Sequence, residues 1–282
     1  MIKGKKGKRG MRRKVIFLFM IFLCVGNEAA AVSKRCQKIC YPKTGLHNAF
    51  DKLGYAIEDM LLLNVYLFSI TSAKVLTSFT PFYLSARMID EDIQKTFYDR
   101  ICHTNIYQLP NTCHQVAQNG VGVPMVVLST MALWAPDNEL RKTARMFALG
   151  LPFVHWGKDL IKTLDTNICL RPWNEHFSSV KRSTGGFPSG HMANVTYMTA
   201  LFGMRHGWKW AVPLSLFSAF VFTDFLNCNR HYLSQLIAGV GFGLLYAFSA
   251  DAVIKRRSAL DMQIKCGMTD QGGINASIAC SF

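Results

Sequence analysis

Three short segments of this 282-residue chain hold residues whose types and spacing suit chemistry on a bound oxyanion. The most informative is Gly185-Gly186-Phe187-Pro188-Ser189-Gly190-His191, directly ahead of an apolar stretch with helical character. Ser189 is a capping residue type, and the small Ser-Gly pair lets backbone N–H groups come close to a ligand. N–H groups at a helix start, with the helix dipole behind them, form an anion site. His191 stands where an imidazole can pass a proton to an oxygen of that anion. Taken alone, the same residues also describe a well-capped helix with a surface histidine. The second segment, Asn229-Arg230-His231-Tyr232-Leu233-Ser234-Gln235, opens the last long helix, so two helix-start histidines flank an apolar hairpin. The third, Cys169-Leu170-Arg171-Pro172-Trp173, supplies Arg171, whose planar fork matches a pair of phosphate oxygens. Standing alone it would be an ordinary surface arginine before a proline.

Together, Arg171-Pro172, Pro188-Ser189-Gly190-His191 and His231-Tyr232-Leu233-Ser234, the last leading into Ala238-Gly239, resemble the signature of the type-2 phosphatidic acid phosphatase superfamily. That superfamily includes bacterial class A acid phosphatases and vanadium haloperoxidases. The resemblance covers residues from about 155 to 250, and the first half of the chain is similar only in being helical. It implies a metal-independent, cofactor-free phosphatase acting on a phosphomonoester or diphosphate, carried either by a lipid or by a small soluble molecule. His231 would attack phosphorus and form a phosphohistidine, and His191 would protonate the leaving oxygen. Arg171, the Ser189 side chain and the Gly190 N–H would stabilise charge on the remaining oxygens. Nothing in the chain favours vanadate over phosphate.

The match departs from the family pattern at three places. The family's Ser-Arg positions are Asp224-Phe225, so an expected phosphate-binding arginine is missing; Arg230, beside His231, is the candidate replacement. The family aspartate four residues after the nucleophile is Gln235, which can accept the same imidazole hydrogen bond without bringing a charge. The family lysine position is Leu164, while Lys158 and Lys162, four apart, lie on one helical face. The alternative to an active enzyme is a divergent phosphate- or phospholipid-binding relative without turnover.

The elements that must position these residues read as helices throughout. Leu53, Ala56, Met60, Leu63 and Leu67 recur at helical spacing within a segment from Ala49 to about Ile89, with Thr80-Pro81 a point where it can kink or divide. Asp90 to Arg100 reads as an exposed charged helix, and Asn105 to Gly122 as a loop rich in Asn, Pro and Gly. Further helices are predicted over roughly 123–135, 138–164, 190–206, 209–227 and 232–256. The fold class is therefore all-α: by the resemblance, a helical bundle of the type-2 phosphatidic acid phosphatase kind, with buried core helices and a disulfide-stapled periphery. His155, His176 and His206, and Trp173, Trp208 and Trp210, read as surface, satisfied or packing residues.

Residues 1–31 read as a secretory signal: a basic run from Lys3 to Lys14, an apolar core from Val15 to Gly26, and Ala29-Ala30-Ala31. This segment carries eight Lys/Arg against Glu28, so its removal lowers the formal charge from +15 to +8. The balance suits an anionic substrate or membrane surface, and no nucleic-acid module is recognisable. The expected organisation is a signal over 1–31, a phosphatase-like domain over 32–256 and a polar, irregular tail over 257–282, in an exported, periplasmic protein that is soluble or associated with the inner membrane. An even set of eight cysteines remains, Cys36, Cys40, Cys102, Cys113, Cys169, Cys228, Cys266 and Cys280, which favours disulfides. Local pairing joins Cys36 to Cys40, Cys102 to Cys113 and Cys266 to Cys280; a Cys169–Cys228 bridge would then brace the site. Zinc is the competing use, but no CxxC pair or histidine-spaced partner supports it. Met60–Ala73 and Trp210–Thr223 are short for membrane spans, Tyr232–Ala250 is the best candidate, and the mean hydropathy of +0.15 favours a soluble or peripherally attached domain.

Overall fold

The structure, a computed structural model, describes residues 45–99, 102, 104–163, 170–172 and 185–265, with side chains over 53–259 of these. The chain forms two compact units, residues 1–65 and 66–282. The described part of the first unit belongs to helix α1 (Gly45–Tyr66), in which Asn64 Nδ2 donates to the Met60 carbonyl at 2.8 Å.

In the second unit α2 (Ile70–Phe97) leads into a two-residue antiparallel ladder, β1 (Tyr98–Asp99) with β2 (Thr104–Asn105), pairing Tyr98 with Asn105 and Asp99 with Thr104. Then come α3 (Asn111–Asn119), α4 (Gly122–Trp134), α5 (Asn138–Lys162), α6 (Gly190–His206), α7 (Trp208–Asn227) and α8 (Leu233–Lys265). The all-α expectation holds among the described residues. Local signals explain the boundaries. Ser69 caps α2 by accepting from Ser72 N–H, and Asp137 caps α5 by accepting from Glu139 and Leu140 N–H. Gly207, at φ 76°, ends α6 and begins α7 at a single residue, a conformation glycine adopts without penalty.

The core is organised around α6. Residues 192–198 are buried on every side of that helix, which packs against α5, α7 and α8. Tyr197, Phe147 and Phe202 form its aromatic centre, with ring centroids 5.1 and 5.7 Å from Phe147, and Tyr197 donates its hydroxyl hydrogen to the Met146 carbonyl at 2.8 Å. The crossing of α6 and α8 is close because Gly239 and Gly243 sit at the contact. A Cβ on Gly243 would lie 2.5 Å from the Ala193 carbonyl oxygen, and one on Gly239 2.6 Å from that of Ser189. Small residues four apart let two helices approach backbone to backbone.

Several expectations need correction. The break comes after Tyr66, and α2 runs unbroken through Pro81. The segment from Asp90 is not an exposed helix: it continues α2, and Asp90 and Gln94, one turn apart, are both buried. The expected 105–122 loop is mostly helix; Pro110, Gly120 and Gly122 mark the breaks around α3 rather than a continuous irregular stretch. The last helix does not stop near 256 but continues through Lys265, across the good helix formers of Arg256 to Lys265. Cys102 and Cys113 are free thiols, as is Cys228, so the described residues carry no disulfide staple. The signal segment, Cys36, Cys40, Cys169, Trp173, His176, Cys266 and Cys280 lie outside the described residues.

Among the described residues three helical stretches are long and apolar enough to cross a membrane: Asn111–Trp134, Trp208–Asn227 and Leu233–Ala259. Only 17%, 28% and 56% of their apolar windows are buried inside the protein. The open remainder of these apolar windows suits association with a membrane. The Asn111–Trp134 stretch escapes the sequence reading because its first half looks like a loop, and Trp210–Thr223 looks short because its ends were set too tightly.

Candidate active site

The third motif is built on a scaffold supplied by α2. Asp90 accepts two hydrogen bonds from Ser234, from the backbone N–H to Oδ1 at 2.8 Å and from the hydroxyl to Oδ2 at 2.5 Å. Arg87 pairs with the same carboxylate at 3.1 Å, and Tyr232 donates its hydroxyl hydrogen to Glu91 at 2.6 Å. One turn on, Gln94 Nε2 donates to the Leu226 carbonyl at 3.3 Å. Asn229 turns the chain at φ 54°, a left-handed position that asparagine tolerates. Arg230 and His231 then fold their N–H groups back onto the Phe225 carbonyl, at 3.2 and 3.4 Å. His231 therefore precedes α8 by two residues rather than lying in its first turn.

Gln235 determines how His231 is presented. Its Nε2 donates to the Leu170 carbonyl at 2.7 Å, so its Oε1 must face the other way. That oxygen lies 3.3 Å from His231 Nδ1 and 3.3 Å from the Tyr232 N–H. A carbonyl oxygen only accepts, so Nδ1 carries hydrogen and Nε2 keeps its lone pair. The same residue ties the motifs together: the Ser189 N–H donates to the Gln235 carbonyl at 3.1 Å, and Leu170 precedes Arg171.

Ser189 occupies the N-cap position of α6 without capping it: its hydroxyl is fully buried and without a partner among the described residues. Asn229 is fully buried as well, and neither end of its side-chain amide has a partner there. The Lys158 stem lies over Gly190, where a Cβ would come within 2.8 Å of Cδ, and its ammonium pairs with Asp159 at 2.8 Å. Lys162 approaches Gly185, its Cδ 3.9 Å from where a Cβ would stand. His191 directs Nε2 at the Gln118 carbonyl on α3, 3.1 Å away, which makes that nitrogen a donor. Phe225, at the position where the resemblance expects an arginine, packs against both imidazoles, 4.7 Å from the ring of His191 and 5.6 Å from that of His231.

The electrostatics bring the predicted set together. Burial, then the Arg171 guanidinium, push the His231 imidazole down to about 3, with His191 and Lys162 adding to the effect against its Gln235 hydrogen bond. Burial also lowers His191, helped by Arg230, Lys158 and Lys162 and opposed by the Gln118 carbonyl. Arg171 is lowered by burial and by Arg230. Among the described residues no carboxylate acts on either imidazole. His231, His191, Arg171, Lys162 and Arg230 thus share one electrostatic neighbourhood with Ser189, Gly190 and Gln235, and Lys158 joins it. A neighbourhood in which positive side chains dominate the field at both imidazoles attracts an anion.

Beside this cluster, Cys228 Sγ lies 3.0 Å from His114 Nδ1, and that same nitrogen lies 2.9 Å from Asp224 Oδ2. Burial and the Asp224 carboxylate push the Cys228 thiol up to about 12, so it is no thiolate nucleophile at neutral pH. His155 and His206 have ordinary polar neighbours, Asn194 Nδ2 at 3.4 Å and Thr143 Oγ1 at 3.1 Å. Asp90, Gln118 and His114 were invisible to sequence reasoning; for Asp90, its helical spacing with the later-buried Gln94 was the sole signal.

No protein-family model and no curated protein matches the chain. Among solved structures it is similar to the first transmembrane PAP2 type phosphatidylglycerolphosphate phosphatase from Bacillus subtilis, at 18% identity and a TM-score of 0.38, over 64% of this chain and 96% of that one. At that distance the likeness by itself assigns neither fold nor activity to this chain.

Proposed function

We propose that this protein is a membrane-embedded phosphatase that works through a phosphohistidine on His231. The observation that carries the proposal is that the buried imidazole of His231 and the half-buried one of His191 share a neighbourhood with Arg171, Arg230, Lys158 and Lys162, and that among the described residues no carboxylate acts on either imidazole. A phosphate matches this positive field, and it offers acceptors to the Ser189 hydroxyl, which has no partner among the described residues. His231 Nε2, its lone pair free, attacks phosphorus as the bond to the leaving oxygen breaks. His191, with Nε2–H held by Gln118, delivers a proton from Nδ1 to that oxygen. A water, deprotonated by His191, then cleaves the phosphorus–nitrogen bond and releases inorganic phosphate. The cations and the Gly190 N–H stabilise the charge that develops on the equatorial oxygens.

A lipid-linked phosphate suits the surroundings. The three apolar stretches bring their site-side ends together: the start of Asn111–Trp134 carries Gln118, the end of Trp208–Asn227 carries Phe225, and the start of Leu233–Ala259 carries Gln235. The headgroup would therefore sit at the level where spans meet water. A groove of about 440 Å³ between α6, α7 and α8, lined by Met192, Thr196, Phe222, Val240 and Leu244, runs along the helix that His191 opens and offers apolar walls to an acyl or prenyl chain. The alternative, a phosphate-binding relative without turnover, is favoured by one observation: Phe225 and the uncharged Gln235 stand where charge would speed the reaction.

The test is phosphate release and covalent labelling from a 32P-labelled phosphatidic acid in detergent micelles, quenched in alkali, where phosphohistidine survives. The expected result is a labelled protein that turns over, with no label and no release for His231→Asn, and slow release for His191→Asn. Release by His231→Asn at the wild-type rate would refute the mechanism. Wild-type protein that binds the lipid without label or release would establish the binding alternative.

A further inference from the structure

His114 stands near the start of α3, while Asp224 and Cys228 are one turn apart on the same face of the last turn of α7. Their donor atoms meet at one point: His114 Nδ1 is 2.9 Å from Asp224 Oδ2 and 3.0 Å from Cys228 Sγ, and Sγ is 3.7 Å from Asp224 Oδ1. Hydrogen bonding accounts for this poorly. The ring nitrogen carries at most one hydrogen, yet it makes two contacts of about equal length, one of them to sulfur. Asp224 is also fully buried, where a carboxylate needs a compensating positive charge.

We infer that His114, Asp224 and Cys228 form a binding site for a divalent metal ion of zinc type. The donor set is one imidazole, one carboxylate and one thiolate, a borderline-soft combination that suits Zn²⁺ over Mg²⁺ or Ca²⁺. With a neutral imidazole, the carboxylate and thiolate together balance a double positive charge. The size is right as well. Tetrahedral Zn²⁺ with ordinary bond lengths sets donors apart by about 3.4 Å for nitrogen and oxygen and about 3.6 Å for pairs with sulfur. The nitrogen–oxygen and nitrogen–sulfur separations need to open by only about half an ångström, and one ligand atom from each residue lies within 4.8 Å of the other two, the nitrogen facing Oδ2 and the sulfur Oδ1 of the carboxylate. The fourth position falls to water or to Asn227, buried on the same helix face with its Oδ1 unpartnered.

The ion ties α3 to the end of α7. Gln118, whose carbonyl holds His191, lies four residues after His114, and Phe225, which separates the site histidines from this cluster, follows Asp224. The metal is thus a brace outside the phosphate chemistry, and the inference stands without the proposed reaction.

Cobalt(II) tests it, because a thiolate ligand produces a charge-transfer band in the near ultraviolet. The full chain, purified in detergent and stripped with a chelator, is titrated with Co²⁺ and then challenged with Zn²⁺. One equivalent of Co²⁺ should bind with the band present, and Zn²⁺ should abolish it. Cys228→Asp should still take up Co²⁺ but without the band, while His114→Ala and Asp224→Asn should bind at least about tenfold more weakly. Circular dichroism verifies that each variant keeps its helices. Folded wild-type protein that takes up no Co²⁺ overturns the inference, as does a band that persists in Cys228→Asp or wild-type affinity in both other variants.

Discussion

Replacing Gln235 by Glu puts a carboxylate 3.3 Å from His231 Nδ1 while leaving the side-chain length unchanged. In the wild-type protein burial and Arg171 hold His231 near 3, so the nucleophile stays unprotonated far into the acid range. A full charge at about 4 Å in an effective dielectric of about 20 favours the imidazolium by about 4 kcal/mol. The Leu170 carbonyl opposes this, since it loses its donor and faces a second acceptor, at about 1–3 kcal/mol. The balance raises the His231 pKa by about one to two units. A nucleophile must be deprotonated, so the acid limb of kcat/KM, which reports the free enzyme, should move to higher pH by that amount. The substrate's own ionisation is common to both proteins and drops out of the comparison. The assay is phosphate release from phosphatidic acid micelles between about pH 3 and 9, with melting followed in parallel. An acid limb that stays put in a variant with wild-type melting would refute the claim that burial and the Arg171 charge set His231.

Asp90→Ala should destabilise the protein by about 1–3 kcal/mol, because it strands the Ser234 N–H and hydroxyl in a buried place; thermal melting reads this as roughly 2–4 °C per kcal/mol. Activity should fall further than folding does, since Ser234 lies between His231 and Gln235. Gly243→Ala should cost about 1–3 kcal/mol or more by driving a methyl into the Ala193 carbonyl, whereas Gly54→Ala, with open space around it, should be neutral or stabilising by about 0.5–1 kcal/mol. Equal melting of these two variants would sink the close-crossing argument.

The residues that the structure gathers at the candidate site were legible in the sequence to the extent that they rest on short-range pattern. Pro188-Ser189-Gly190-His191 announces a loop opening a helix, and the spacing of His231 and Gln235 already implies an imidazole with a side-chain acceptor four residues on. Helix existence was legible for the same reason, except where Asn, Pro and Gly around α3 conceal a helix between its breakers. Long-range choices were not. Nothing near Asp90 in the chain says that its carboxylate will cap a helix more than 140 residues away, and the charged run around it reads as a solvated face. The cysteines misled for a related reason: an even count argues for pairing only when partners come within reach, and Cys228 meets a histidine on α3 instead. The apolar stretches were less legible because composition averages over polar segments, whereas exposure of the apolar windows is a property of packing alone.

If the apolar stretches span a membrane as proposed, the meeting of Gln118, Phe225 and Gln235 with the two site histidines toward one end of them makes the protein an asymmetric device. On the proposed function, a lipid would be processed only from the leaflet that faces that end, because the polar headgroup would have to arrive at Arg171 and His231. Substrate in the opposite leaflet is shielded by the full hydrocarbon thickness, roughly 30 Å. In sealed vesicles carrying the protein in one orientation, phosphate release should therefore plateau once the accessible leaflet is consumed. It would continue afterwards only at the pace of transbilayer lipid movement, and the orientation of insertion, not the abundance of substrate, would decide which pool of lipid is depleted.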